Sequence, residues 1–495
     1  GVALMPGTGE YALATTPVHF NDGLGRNRSA NVNTPSAQTD FSASIRNLVE
    51  EVPGCGAVGL VVSWFGNDLR IGECSLQPKV EQKTSDGVGM PWRVCGVDRA
   101  HAAVIPKKDG LSVYGGTPCD ASVVQAIRHM NAQGLEVMFY PFILMEQGEG
   151  NGLPDPLTGA DDQPVLPWRG RITTAIAAGR DGTTDGTAAA ETEVSSFFGT
   201  ASVGDFQISG GQVVYSGPNE WSYRRFVLHY AYLCKLAGGV ESFCIGSEMR
   251  GMTQIRGASN TFPAVEALKV LAADVRQILG AETKISYAAD WSEYFGYHPQ
   301  DGSGDVLFPL DDLWAHPEID FVGIDNYMPL TDWREGTEHL DAGGGAVAVW
   351  DLAALKGGIE GGEGFDWYYA DDAARAAQQR TPITDGAHGE DWVFRYKDLR
   401  GWWGSEHHPR LGGVRQAAPT AWVPESKPIW FIEIGCAALD KATNQPNKFL
   451  DLLSSESALP VHSDGRRDDL IQARYLRAIL EHWAEPGRNP VSSVY

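Results

Sequence analysis

Two glutamates close apolar runs at places where a strand has no structural need of an acid: Glu248 in ESFCIGSEMRG (241–251) and Glu433 in KPIWFIEIG (427–435). Side chains alternate along a strand, so Ser242, Cys244, Gly246 and Glu248 share one face of the first run, and Ile429, Phe431 and Glu433 share one face of the second. The small residues suit the lumen of a barrel, whereas Phe243 and Ile245 suit a layer of helices. Both acids are therefore expected to point inward at the C-terminal rim. Hydrolysis of a glycosidic bond needs such a pair, one carboxyl protonated to donate to the leaving oxygen and the other ionised to attack or to activate water. Carboxyls about 5 Å apart would retain anomeric configuration, and a gap of about 6.5 to 9.5 Å would invert it. An ion-paired strand-end acid gives the same local pattern, with Arg250 close to Glu248. Its recurrence on two strands favours the catalytic reading.

Further candidates stand at neighbouring strand ends. SYAADWSEYFGYH (286–298) ends its apolar stretch on Asp290 and Trp291, and DFVGIDNYMPL (320–330) puts Gly323, Asp325 and Tyr327 on one face. Tyr327 is placed to hydrogen-bond the nucleophile carboxylate. Asp290 and Asp325 suit either sugar hydroxyls or buried loop amides, and Ser247, Tyr287 and Trp291 complete the candidate substrate contacts. Aromatic residues crowd the expected loops (Trp291, Tyr294, Trp333, Trp367, Tyr368, Tyr369, Trp392, Trp402, Trp403). They suit a saccharide groove or, equally, a protein interface. His407 and His408 are adjacent and read as a solvated loop rather than a metal pair. No metal site and no cofactor are expected, and GxSxG, HExxH and Walker patterns are absent.

The elements that must carry these residues alternate. Helical periodicity over DFSASIRNLVEE, with Asp40 as N-cap, precedes the strand AVGLVVSWF, and SVVQAIRHMNAQG precedes LEVMFYPFIL. The same order recurs before VESFCIGSE, TKISYAAD, IDFVGIDNY and KPIWFIEIG, and WRVCGVD is a weaker second strand. Strands apolar on both faces, each preceded by a helix, predict an α/β protein with a (β/α)8 TIM barrel. Residues 1–40 read as a leader or linker and residues 41–495 as the barrel. Long insertions at about 146–219 and 328–428 follow strands 3 and 6, far beyond ordinary βα loops. They are expected to wall a substrate cleft or to pack on neighbouring chains. The Gly-rich runs DAGGGA and KGGIEGGEG read as loop punctuation. An eighth strand is not visible before Tyr495, so either the barrel is truncated before its last strand, which residues beyond Tyr495 complete, or the strand count is off by one.

The 495-residue chain is 43% hydrophobic and 21% charged, ordinary for a globular protein. Its net charge of −24, with no Lys/Arg run, disfavours nucleic acid and anionic membrane surfaces as partners. No apolar run reaches the roughly 18 residues of a membrane span. The seven cysteines are scattered without a CxxC pair, which argues against a disulfide framework or zinc site.

Taken together, FCIGSEMRGMTQIRG, KISYAADWSEYFGYHP, DFVGIDNYMPLTDW, TPITDGAHGE, YKDLRGWWG and KPIWFIEIGCAA closely resemble the glycoside-hydrolase TIM-barrel-like domain of the large tail-hub (host-specificity) protein of phage-like gene transfer agents. The resemblance covers most of residues 10–485. It implies a retaining glycosidase acting on cell-surface or cell-wall polysaccharide, with Glu248 as acid/base and Glu433 as nucleophile. It also implies other tail and baseplate proteins as partners, a homo-oligomeric hub, synthesis in the bacterial cytoplasm and action at the recipient cell envelope. One departure stands out: Ser247 occupies the position where retaining barrel glycosidases usually carry the Asn that binds the sugar 2-hydroxyl. A barrel that only binds glycan, or only builds the hub, is the alternative.

Overall fold

The computed structural model describes residues 1–5, 9–36 and 38–489, which fall into two compact units. The first comprises Gly1–Ala288 with His316–Phe321, and the second Ala289–Ala315 with Val322–Tyr495. The fold class is the expected one: α/β, with a mostly parallel sheet of TIM-barrel type.

In the first unit, β1 (Val2–Leu4) pairs in parallel with β2 (Ala57–Gly66), and β2 pairs with β3 (Glu136–Met145) from Ala57↔Glu136 to Gly66↔Met145. β3 pairs with β4 (Ser242–Ser247), and β4 with the residues of β5 (Lys284–Asp290) up to Ala288. Two expectations change here. Val2–Leu4, read from the sequence as part of a leader, is a strand of the parallel sheet. WRVCGVD is not one, because Arg93–Val94 folds back antiparallel on Val97–Asp98 around Cys95 and Gly96, both at positive φ.

The helices follow the apolar periodicity. α1 (Asp40–Glu51) is capped one residue earlier than expected, by Thr39, whose hydroxyl accepts from the Ser42 amide. α2 (Asp120–Ala132) stops at Gly134, which takes the left-handed turn at φ +77°. The insertion after β3 contributes α3 (Ala188–Phe198), and then α4 (Tyr223–Ala237), capped by Ser222, leads into β4. α5 (Pro263–Leu279), with proline in its first turn, leads into β5. Every residue of β4 is buried, as a strand covered on both sides requires. The Phe139 ring stacks on Phe243 at 5.5 Å and on Tyr230 of α4 at 5.1 Å, which fastens strand to strand and strand to helix. Each such ring contributes roughly 1.5–3 kcal/mol by burial.

In the second unit, β6 (Val322–Asn326) and β7 (Ile429–Ile434) form a parallel pair. α6 (Leu352–Gly357) is capped by Asp351, and α7 (Asp469–Ala484) by Asp468. α7 buries Ile471, Tyr475, Ala478 and Ile479, one helical stripe, against Leu330, Leu355, Cys436 and Ala442. A second cluster joins the 328–428 insertion to Phe308 and Asp311. Its centre is His407, buried rather than solvated, stacked on Phe308 and Trp422, with one ring nitrogen on Asp311 Oδ2 (2.9 Å) and the other on the Trp402 carbonyl (2.7 Å). His408 is also buried. Apolar rings on both faces and two hydrogen bonds make an inward histidine stable where sequence context alone suggests a loop. Lys397 is likewise buried and donates to the Pro329 and Gly361 carbonyls at 2.7 and 2.6 Å, clipping the end of β6 to the insertion. Burial pushes its ammonium down to about 7.

The cysteines are unpaired among the described residues, and all but Cys55 are buried. No helix among the described residues is long and apolar enough to cross a membrane. The expected truncation before the last strand concerns the end of the chain, where residues 490–495 lie outside the described residues.

Candidate functional site: the strand-end carboxylates

Glu248 follows the last residue of β4 and is itself in the left-handed region, at φ +49°. A non-glycine residue held there costs about 1 kcal/mol or more and persists only when its surroundings fix it. The fixing is visible. The β4 ladder shifts register between Cys244 and Ser247, and the Glu248 amide donates to the Ala288 carbonyl at 2.8 Å. Tyr223 of α4 donates its hydroxyl to the Ile245 carbonyl at 2.6 Å, and the Met249 amide donates to Tyr287 Oη at 2.7 Å. Gly246 is required by the same packing, since a Cβ there would lie 2.2 Å from Tyr223 Oη. The run CIGSE is thus a bulge with a specific purpose: it sets the direction of Glu248, which simple alternation does not.

The carboxylate of Glu248 is met by the insertion after β3. Trp168 Nε1 donates to Oε2 at 2.9 Å, and Arg169 Nη2 pairs with the same oxygen at 2.9 Å. Arg169 is 5% exposed and does more than pair. Its Nε donates to the Ser247 carbonyl (2.8 Å), its Nη2 to Ser247 Oγ (2.6 Å), and its guanidinium lies 3.6 Å from the centre of the Phe142 ring. Tyr140 shares a 2.5 Å hydrogen bond with the same Ser247 hydroxyl. Glu248 therefore pairs with Arg169, 79 positions away, where the sequence suggests the neighbouring Arg250. Trp168, Arg169 and Tyr140 are contacts of the candidate site that sequence reasoning misses. The only trace of the first two is an aromatic and two arginines in PWRGR (167–171) within an otherwise Gly/Asp/Pro-rich stretch.

In the second unit, the Tyr327 hydroxyl donates to Glu433 Oε2 at 2.6 Å, the contact expected from strand parity. Asp325 is fully buried and registers opposite Glu433, with carboxylate oxygens of the two within 4.8 Å of each other. The β6–β7 ladder also shifts register, between Ile324 and Asp325, so a bulge again precedes the acids. Asp290 accepts from the backbone amide of Ser292 at 2.9 Å and from its hydroxyl, the loop-satisfying role that the sequence leaves open. Trp291 donates its backbone N–H to the Asp325 carbonyl (3.1 Å) and sets its ring edge-on to Tyr396 at 4.9 Å. Its buried indole Nε1 has no partner among the described residues. Tyr294, Trp392, Trp402 and Trp403 are buried core rather than groove. Trp291, Trp333, Trp367 and Tyr369 are half-buried and Tyr368 is exposed.

Among solved structures, the chain is similar to a GH113 β-1,4-mannanase in complex, at 14% identity and TM-score 0.38, over 90% of this chain and 79% of that one. A second GH113 β-1,4-mannanase structure gives 14% and 0.37 over 91% and 79%. The GH113 β-mannanase from Alicyclobacillus acidocaldarius in complex with ManMIm gives 14% and 0.36 over 89% and 75%. No curated protein matches. Residues 221–495, which carry β4 to β7 and with them Glu248, Asp290, Asp325 and Glu433, match the family described as the GTA TIM-barrel-like domain, and the chain belongs to that family.

Proposed function

We propose that this chain is a retaining glycoside hydrolase of a phage-like gene transfer agent tail hub, acting on cell-surface or cell-wall polysaccharide. Glu433 is the nucleophile and Glu248 the acid/base. The observation that carries the reading is the Tyr327 hydroxyl donating to Glu433 Oε2 at 2.6 Å. A donor on that oxygen supports the carboxylate form and orients its partner oxygen for attack on an anomeric carbon. Attack forms a glycosyl ester on Glu433 while Glu248 passes its proton to the leaving oxygen. Glu248 then takes a proton from water, which hydrolyses the ester and releases a sugar of retained configuration. Trp168 and Arg169 hold Glu248 in one orientation, as a carboxylate paired with Arg169 at rest, so the acid step requires Glu248 to take up a proton when substrate binds. Membership of the GTA family supports the wider setting: a homo-oligomeric hub beside other tail and baseplate proteins, made in the bacterial cytoplasm and working at the recipient envelope.

A second reading is favoured by a specific contact. Ser247, where retaining barrel glycosidases carry a sugar-binding Asn, has its hydroxyl engaged by Arg169 and Tyr140. In that reading the barrel binds glycan without cleaving it. The two separate on incubation of the chain with purified envelope polysaccharide and an assay for new reducing ends. The catalytic reading expects release by wild type and a loss of roughly 10³-fold or more in Glu433→Gln and in Glu248→Gln. Equal release from wild type and Glu433→Gln refutes the assignment of the nucleophile, and binding without release in wild type establishes the second reading.

A further inference from the structure

The two glycine-rich runs at 341–346 and 356–364, which read as mere punctuation, line one cavity of about 600 Å³ inside the second unit. Gly344, Gly345, Gly357, Gly358 and Gly362 give it a wall of bare main chain, so a ligand can approach peptide N–H and C=O groups closely. Indoles of Trp333 and Trp367 supply flat apolar surface, with Leu330 and Val349 beside them. Five carboxylates line it (Asp332, Asp341, Asp351, Glu363, Asp366) against one guanidinium, Arg380. The lining includes none of Asp325, Tyr327 and Glu433.

The polar wall is held in place before any ligand arrives. Asp332 is 2% exposed and accepts from Tyr369 Oη (2.6 Å), Gln378 Nε2 (3.0 Å), Arg380 Nη2 (3.2 Å) and Arg334 Nη2 (3.3 Å). Burial opposes its charge, but these hydrogen bonds and the two guanidinium charges overcome that and hold the carboxyl below its ordinary range. Arg380 lies 4.0 Å from the centre of the Trp367 ring and pairs with Asp341 at 2.6 Å. Its Nε is buried without a hydrogen-bond partner among the described residues.

We propose that this cavity is a saccharide-binding site distinct from the strand-end glutamates, taking neutral or amino-bearing sugar rings and rejecting acidic ones. Its volume is within the range of roughly 300–1,000 Å³ that small-molecule sites occupy. Carboxylates and peptide carbonyls accept from ring hydroxyls or an ammonium, Arg380 donates, and indole surface meets the C–H face of a ring. Five carboxylates stand in the lining against Arg380, with Arg334 and Arg375 paired to Asp332 and Glu363 behind it, and the remaining net negative charge disfavours uronate and phosphate groups. A tail protein with such a site would stay on its glycan between cleavage events, and the site does not depend on cleavage.

Titration calorimetry on the full chain carrying Glu433→Gln, which removes turnover from the readout, tests this with three tetrasaccharide probes: N-acetylated chitotetraose, its deacetylated form and tetragalacturonate. The first two are expected to bind and the third not. Gly357→Phe is the blocking variant, because Gly357 lines the cavity and a Cβ there meets no atom within 4 Å, with an unchanged melting temperature as the control for folding. It is expected to weaken both probes by at least about tenfold, as is Trp333→Ala, which removes apolar wall. Tetragalacturonate binding as tightly as the others overturns the proposal. So does no binding of either chitin-derived probe at millimolar concentration, or binding that Gly357→Phe leaves unchanged. Because no arm measures cleavage, failure of the catalytic assignment leaves this result untouched, and the reverse holds.

Discussion

Removing the Arg169 guanidinium should free the strand end that carries Glu248, and the size of the effect follows from its contacts. Arg169→Met keeps an apolar chain of similar length but deletes the guanidinium over Phe142 and its bonds to the Ser247 carbonyl, the Ser247 hydroxyl and Glu248 Oε2. At 5% exposure for Arg169 and 12% for the Glu248 side chain, water does not readily replace the lost cation. Deleting one member of a buried pair typically costs about 3–5 kcal/mol, because the other charge is left uncompensated. At about 1.4 kcal/mol per factor of ten, local opening should become more frequent by on the order of 10²–10³. Native-state hydrogen exchange reads this directly at two amides, Glu248 N–H on the Ala288 carbonyl and Met249 N–H on Tyr287 Oη. The companion Glu248→Gln keeps shape and removes the charge, so a double-mutant cycle isolates the pair, with a coupling of about 0.5–3 kcal/mol expected. Exchange at both amides within about threefold of wild type in Arg169→Met would show that the bulge is held by the ladder alone, and the clamp argument would fall.

Three further outcomes are expected. Tyr327→Phe deletes a charged hydrogen bond to Glu433 worth about 1.5–3 kcal/mol, so kcat on a cleavable glycan should fall by roughly 10–150-fold with no change in melting temperature of comparable size; an unchanged kcat argues against Glu433 as nucleophile. Gly246→Ala drives a Cβ against the buried Tyr223 hydroxyl and should destabilise by about 1–3 kcal/mol, a loss that adding Tyr223→Phe partly recovers in urea denaturation; no recovery would mean that the clash is not with that oxygen. Lys397, pushed down to about 7 by burial, binds fewer protons folded than unfolded between about pH 7 and 10, so its contribution makes stability rise with pH across that window. Lys397→Met should flatten the rise, measured as hydrogen exchange of the 361–398 segment against pH, and a slope identical to wild type would exclude the depressed ammonium pKa.

The fold was largely legible because its signals are local. Apolar runs such as LEVMFYPFIL and helices punctuated by Gly134, Gly238 and Gly280 state their own type, and the structure returns them with boundaries shifted by a residue or two. The failures are short or non-local. Val2–Leu4 is three residues long, so periodicity has nothing to count, and it becomes a strand only by pairing with Val58–Leu60. WRVCGVD carries strand-like residues but turns at Cys95–Gly96, where backbone sterics override side-chain pattern. His407 reads as polar loop until Phe308, Trp392, Trp402 and Trp422 are brought around it from up to 99 positions away.

At the strand ends the limitation of sequence reading is more instructive, because the parity argument that singles out Glu248 and Glu433 rests on a geometric premise that does not hold. Alternation presumes an uninterrupted ladder, and both ladders shift register just before the acids, between Cys244 and Ser247 and between Ile324 and Asp325. A bulge re-aims the side chain that follows it, so what orients Glu248 is a left-handed backbone angle braced by Tyr223, Tyr287 and Arg169. That bracing costs conformational energy, and it is spent on a single residue whose carboxylate receives an indole and a guanidinium from an insertion that the sheet itself does not need. A strand end required only for stability would be better served by a glycine or asparagine at φ +49°, which reach that region with less strain. The combination of a strained glutamate, a bulge that aims it and a long insertion that returns to hold it argues for a side chain kept for its chemistry.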